Sequence, residues 1–131
     1  KPVANHVEAK KRPRSSMAPT MVFDEKGRLY TVIGSPGGHS IINYVALTLV
    51  NVLDWNMDIQ QAIDSPHAGS RNGPTDLEQG TKLERLAPEL ERMGHAVRIR
   101  PETSGLHGIA RTSEGWAGGA DPRREGVALG D

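Results

Sequence analysis

Residues 28–33 (Arg-Leu-Tyr-Thr-Val-Ile) alternate in polarity and are rich in β-branched side chains, which predicts a strand. Residues 20–23 (Thr-Met-Val-Phe) read as a shorter strand before it. The two are joined by Asp24-Glu25-Lys26-Gly27, a four-residue hairpin loop ending in glycine. From Ser40 to Leu53 the pattern changes. Ile41, Ile42, Val45, Leu47, Leu49, Val50, Val52 and Leu53 are apolar and spread around most of a helical circumference. A helix covered on several sides is expected there. Between strand and helix lies Gly34-Ser35-Pro36-Gly37-Gly38.

Further on, Asp58-Ile59-Gln60-Gln61 has capping-box spacing and predicts a short helix that stops before Pro66. Residues 68–74 hold several Gly, Pro and Asn breakers and read as a loop. A short strand is expected at residues 76–79. Thr81-Lys82-Leu83-Glu84 is a second capping box. The helix it opens sets Leu83, Leu86, Leu90 and Met93 on one face, with Pro88 forcing a kink or a restart and Gly94 a suitable terminator. Residues 95–100 alternate as a strand, and residues 106–112 and 116–119 form a hairpin around Glu114-Gly115. The tail from residue 121 is polar and glycine-rich. Hairpins interrupted by helices imply an α+β fold, an antiparallel sheet with helices on one face.

The length of 131 residues suits one domain, residues 1–131. Lys plus Arg and Asp plus Glu both number 16, so the formal net charge is zero. That argues against a dedicated nucleic-acid binder, which needs a basic excess to neutralise phosphates. The run Lys10-Lys11-Arg12-Pro13-Arg14 is accordingly read as a solvated loop. Cysteine is absent, which removes disulfide, zinc-thiolate and cysteine-nucleophile chemistry. The longest apolar stretch is broken by Asn43, Thr48 and Asn51 and falls short of the roughly 20 residues of a membrane span, so a soluble chain is expected. Lys1-Pro2-Val3-Ala4-Asn5 looks like mid-domain sequence, so a fragment or processed product is expected.

A glycine pair at a strand-to-helix turn bares backbone N–H groups at the positive end of a helix dipole, a setting for an oxyanion or a phosphate. The phosphate motifs do not match: Gly38 is followed by His39-Ser40 where a Walker loop has Lys, and no Gly-x-Gly-x-x-Gly is present. Nor is Ser35 a nucleophile elbow, since Ile33 stands where that motif has glycine. Of the histidines, His6, His39, His67, His95 and His107, none has the i, i+4 spacing of a helical metal site. No metal and no cofactor is expected. Ser15-Ser16 and Asp121-Pro122-Arg123, each alone, are turns.

The order of these pieces is more informative. Lys11-Arg12-Pro13-x-Ser15-Ser16-Met17-x-Pro19-Thr20, Gly34-Ser35-Pro36-Gly37-Gly38, Gly94-His95-x-Val97 and Ala120-Asp121-Pro122-Arg123 together resemble the C-terminal half of the small subunit of gamma-glutamyltransferases. These are N-terminal-nucleophile hydrolases. The resemblance runs through essentially the whole chain, and cephalosporin- and poly-gamma-glutamate-type acylases share much of it.

The resemblance implies a partial αββα sandwich. It also implies an enzyme that moves a γ-glutamyl group, from glutathione-type substrates, through an acyl-enzyme on an N-terminal Thr. Gly37 and Gly38 would supply the oxyanion hole, Ser15 and Ser16 would bind the substrate α-carboxylate, and Met17 would line the pocket. The Thr nucleophile is not in this chain, since Lys1 stands first and an internal Thr has no free amine. The partners implied are the large subunit, the remainder of the small subunit and a γ-glutamyl substrate, in a periplasmic or extracellular setting. The piece alone is expected to be inactive and to self-associate through uncovered sheet edges. Where the family tends to have Pro-Arg, this chain has Pro66-His67, and His67 and Arg71 receive no role. A noncatalytic anion-binding or assembly module on the same scaffold is the alternative.

Overall fold

The structure is a computed structural model and describes residue 3 and residues 5–130. Expectations about Lys1, Pro2, Ala4 and Asp131 lie outside the described residues. The expected hairpin forms as β1 (Thr20–Phe23) and β2 (Leu29–Gly34), antiparallel, with Thr20 opposite Ile33. Asp24 closes its loop, accepting from the Lys26 and Arg28 N–H groups at 3.0 and 2.9 Å. Gly27 turns the chain at φ 70°. The expected second hairpin is β6 (His107–Arg111) with β7 (Trp116–Ala120), turned at Gly115. β2 pairs with β6, and the result is a four-stranded antiparallel sheet in the order β1-β2-β6-β7.

Two helices cover one face of this sheet. α1 spans Ile41–Leu53 and α2 spans Ile59–Asp64. α1 starts one residue later than its periodicity suggests, because Gly38–Ser40 form a 3₁₀ turn ahead of it. Its buried positions, Ile41, Tyr44, Val45, Thr48 and Val52, make one stripe. The expectation of cover on several sides is corrected, since Ile42, Val50 and Leu53 are exposed. The core joins this stripe to Ile33, Ile59, Ala62, Ile63, Leu106 and Ala110. α2 begins at Asp58, whose carboxylate accepts from the Gln61 N–H at 2.9 Å. It lies close on β6 and β7 because Gly108 and Gly119 face each other beneath it. A Cβ on either would stand 2.8 Å from Ile59 Cδ1 or Ile63 Cδ1. The Gln60 side chain then pairs with β7 as a further strand would: its Nε2 donates to the Ala120 carbonyl and its Oε1 accepts from the Ala120 N–H, both at 3.0 Å.

A second, three-stranded sheet has the order β3-β4-β5: β3 (Ala68–Gly69), β4 (Thr75–Glu78) and β5 (Val97–Arg100). β3 corrects the reading of residues 68–74 as all loop. β4 and β5 are parallel, joined by a 3₁₀ turn (Lys82–Leu86) and α3 (Ala87–Arg92), with Pro88 in the first turn of α3 as its restart requires. Thr81 caps the turn, but Glu84 reaches back to the Gly80 N–H, one residue short of a full capping box. Leu86 and Met93 are exposed on this face. No described helix is long and apolar enough to cross a membrane.

Candidate active site

The register of the four-stranded sheet gathers the sequence motifs at one end. Thr20, which opens β1, lies opposite Ile33 near the close of β2. His107, which opens β6, pairs with both Gly34 and Ala120. The segments before β1 (Ser15, Ser16, Met17), after β2 (residues 35–38), before β6 (residues 102–106) and after β7 (residues 121–123) therefore leave the sheet at the same end. Both hairpin loops occupy the opposite end. Ser15 and Met17 are exposed, Met17 by 77%, and Ser16 is half-buried. The Ser15 hydroxyl accepts from the Met17 N–H at 3.2 Å and so shapes its own turn.

Gly37 has φ 133° and ψ 15°, and Gly38 has φ 57°. Both values lie in the region that favours glycine, and most side chains there would strain the backbone. The two differ in surroundings. A Cβ on Gly37 would meet Tyr44 Cε2 at 2.7 Å, whereas one on Gly38 would face open space. Among the described residues, neither the Gly37 nor the Gly38 N–H donates to an acceptor. The turn thus presents two unpaired donors at a helix start, with room for an approaching group beside Gly38. His39 is exposed in the 3₁₀ turn.

Beneath this turn lies a buried polar network that sequence reasoning missed. Asp121 Oδ2 accepts from the Ser104 hydroxyl at 2.6 Å and from the Leu106 N–H at 3.0 Å. Its Oδ1 accepts from the Arg123 N–H at 2.9 Å and Nη1 at 3.1 Å. Arg123 also grips Glu78 with two bonds, Nε to Oε1 at 2.5 Å and Nη2 to Oε2 at 3.0 Å. Burial acts to raise Asp121, but the Ser104 bond, the Arg123 and Leu106 N–H groups and the Arg123 guanidinium outweigh it and hold it below the ordinary carboxylate range. Glu78 is lowered in the same way, chiefly by Arg123 against the opposing effect of burial.

His67, 2% exposed, joins this network. Its Nε2 lies 2.8 Å from Ser104 Oγ. The hydroxyl has a single proton and gives it to Asp121, so toward His67 it offers a lone pair. The imidazole therefore carries a proton on Nε2 and donates, as the neutral Nε2–H tautomer can. Burial, helped by the Arg123 charge, pushes His67 down to about 4 and favours that neutral form. On its other side the imidazole packs against the Tyr44 ring, centroids 4.5 Å apart. The Tyr44 hydroxyl donates to Glu102 Oε2 at 2.5 Å, and burial and that carboxylate both raise its pKa.

The profile of the gamma-glutamyltranspeptidase family matches residues 1–131. The chain belongs to the gamma-glutamyltranspeptidase family. It is 34% identical over 131 residues to the glutathione hydrolase proenzyme of Bacillus subtilis (strain 168), covering 97% of the chain and 22% of that protein. To the glutathione hydrolase proenzyme of Escherichia coli (strain K12) it is 35% identical over 123 residues, 92% of the chain and 21% of the relative. A crystal structure of a mutant Helicobacter pylori gamma-glutamyltranspeptidase superposes with a TM-score of 0.82 at 32% identity, over 95% of this chain and 69% of that one. The chain thus spans about a fifth of the length of these two curated relatives. The expected α+β arrangement, within the N-terminal-nucleophile hydrolase fold of the gamma-glutamyltranspeptidases, is borne out.

Tyr44, Ser104 and Glu102 went unremarked in the sequence, and Asp121-Pro122-Arg123 looked like a turn when taken alone. One signal was available. A tyrosine inside the apolar stripe of a buried helix needs a partner for its hydroxyl, and that requirement points to a carboxylate elsewhere.

Proposed function

We propose that this chain forms part of an enzyme that transfers or hydrolyses γ-glutamyl groups, with glutathione-type donors. The observation that carries this reading is the pair of unpaired N–H groups at Gly37 and Gly38 in a chain of the gamma-glutamyltranspeptidase family. Preorganised donors of this kind stabilise the charge that develops on a carbonyl oxygen during acyl transfer, at about 2.7–4 kcal/mol per donor. Gly38 offers the clearance that a substrate carbonyl needs. Ser15 and Ser16 leave β1 at the same sheet end. Their hydroxyls suit the α-carboxylate of a γ-glutamyl group, with Met17 beside them.

The nucleophile is an N-terminal Thr supplied from outside these residues. Its hydroxyl attacks the γ-carbonyl carbon and its own α-amine takes the proton. The tetrahedral oxyanion is held at Gly37 and Gly38 and collapses with loss of the amine. Water or an acceptor amine then releases the glutamyl group. The large subunit and the remainder of the small subunit complete the site.

Turnover of a γ-glutamyl anilide separates the parts of this reading. The assembled two-subunit enzyme is expected to release the aniline, and Gly38→Ala, which keeps the N–H but strains the left-handed backbone that aims it, to slow it about 10²-fold. The 131-residue chain alone is expected to release none. Turnover by the isolated chain, or an unimpaired Gly38→Ala enzyme, overturns the assignment.

A further inference from the structure

A glycine at φ 133° is free to leave that well unless something holds it, and an oxyanion donor that wanders is a poor one. The turn is held on two sides. Toward β6, the Gly105 N–H donates to the Ser35 hydroxyl at 3.2 Å, and a Cβ on Gly105 would stand 2.8 Å from Pro36 Cγ. Toward α1, the edge of the Tyr44 ring occupies the volume into which a side chain at position 37 would project. Tyr44 is itself locked. Its ring is buried against His67, and its hydroxyl is bonded to Glu102, whose side chain is 5% exposed. The phenol is directed at Glu102, and it is the ring edge that lies against Gly37.

We propose that Tyr44 is a positioning residue for the Gly37–Gly38 donors: its ring is the wall that keeps Gly37 in the left-handed conformation, and its bond to Glu102 fixes the wall. This rests on the reading of the turn as the oxyanion hole. Tyr44 acts on the reacting atoms only through the backbone it supports. Its loss is therefore felt when charge develops on the carbonyl, and substrate binding at the serines is spared.

The test uses the assembled enzyme, with kcat and KM for a γ-glutamyl anilide and the affinity of a tetrahedral boronate analogue of the γ-glutamyl group. Tyr44→Leu is expected to lower kcat about 100-fold, the order of loss that follows a misplacement of roughly 1 Å. KM should stay within about twofold, and the boronate should weaken by the same factor as kcat. Tyr44→Phe keeps the ring and is expected to recover kcat to within about tenfold of wild type. Should Tyr44→Leu fail to assemble, Tyr44→Phe and Glu102→Ala decide. A lowered kcat at constant KM in either supports the role, and wild-type kcat in both overturns it. A Tyr44→Leu enzyme with unchanged kcat, or with the whole effect in KM, also overturns it. These outcomes are read against an active wild type. A wild-type enzyme with no γ-glutamyl turnover and no boronate binding instead overturns the functional reading on which the role stands.

Discussion

Ser104 gives its only hydroxyl proton to Asp121, 2.6 Å away, and so dictates that His67 face it as a donor, while burial keeps that imidazole neutral. The linkage consequence has a definite sign. An unfolded histidine binds its proton near 6.5, and His67 in the fold near 4. Between those values the unfolded chain binds more protons, so stability is complete above pH 6.5 and falls as pH drops toward 4. The slope is about 1.4 kcal/mol per pH unit, and the loss across the window roughly 3 kcal/mol. Urea unfolding at a series of pH values is expected to show this decline, and His67→Gln to flatten it. A wild-type midpoint constant from pH 6.5 to 4 would contradict the assignment.

Arg123 holds two buried carboxylates at once, Glu78 and Asp121. Arg123→Met leaves both without their cation and should destabilise by about 3–5 kcal/mol. Adding Glu78→Gln removes one stranded charge, so the double variant is expected to regain part of the loss, with a coupling of about 0.5–3 kcal/mol in a double-mutant cycle. Strict additivity would mean that the two side chains do not act as a pair.

The glycines of β7 offer a matched comparison. A Cβ at Gly119 meets Ile63 Cδ1 at 2.8 Å and the Gln60 backbone at 3.3 Å, so Gly119→Ala must push α2 away from the sheet. A loss of about 1–3 kcal/mol is expected. At Gly118 the close neighbour is Ala128 Cβ, at 2.9 Å, in the tail. The tail can move aside, and Gly118→Ala should stay within about 0.5 kcal/mol of wild type. Equal thermal shifts in the two variants would refute the distinction.

Met21, Ile109 and Trp116, each at least half exposed, lie on the face of the four-stranded sheet away from the helices. Apolar surface on this scale favours association. Light scattering of the isolated chain is expected to report dimers or larger species, and Ile109→Lys to shift them toward monomer. A monomer at millimolar concentration would refute this.

Much of the fold was legible because its elements are local. The two hairpins announce themselves by alternation and a closing glycine, and α2 by Asp58. The parallel β4–β5 pair was not legible, since alternation within one strand does not reveal the direction of its neighbour. β3 has two residues and no period to detect. In α1, the apolar residues Ile42, Val50 and Leu53 promised cover that the described residues do not provide, so hydrophobicity alone misjudged which faces are buried. The glycine turn and the serines stood out as contiguous motifs. The support beneath them did not, because its bonds join residues 58 apart (Tyr44 to Glu102) and 37 apart (His67 to Ser104), and no local pattern encodes such distances.

The sheet keeps its ordinary hairpin loops at one end and every candidate chemical segment at the other. That polarity makes the molecule easy to instrument. A reporter dye or an affinity tag placed at the exposed Glu114-Gly115 tip would sit a full strand length from Gly37, and would follow assembly with the proposed partner subunit away from the candidate site.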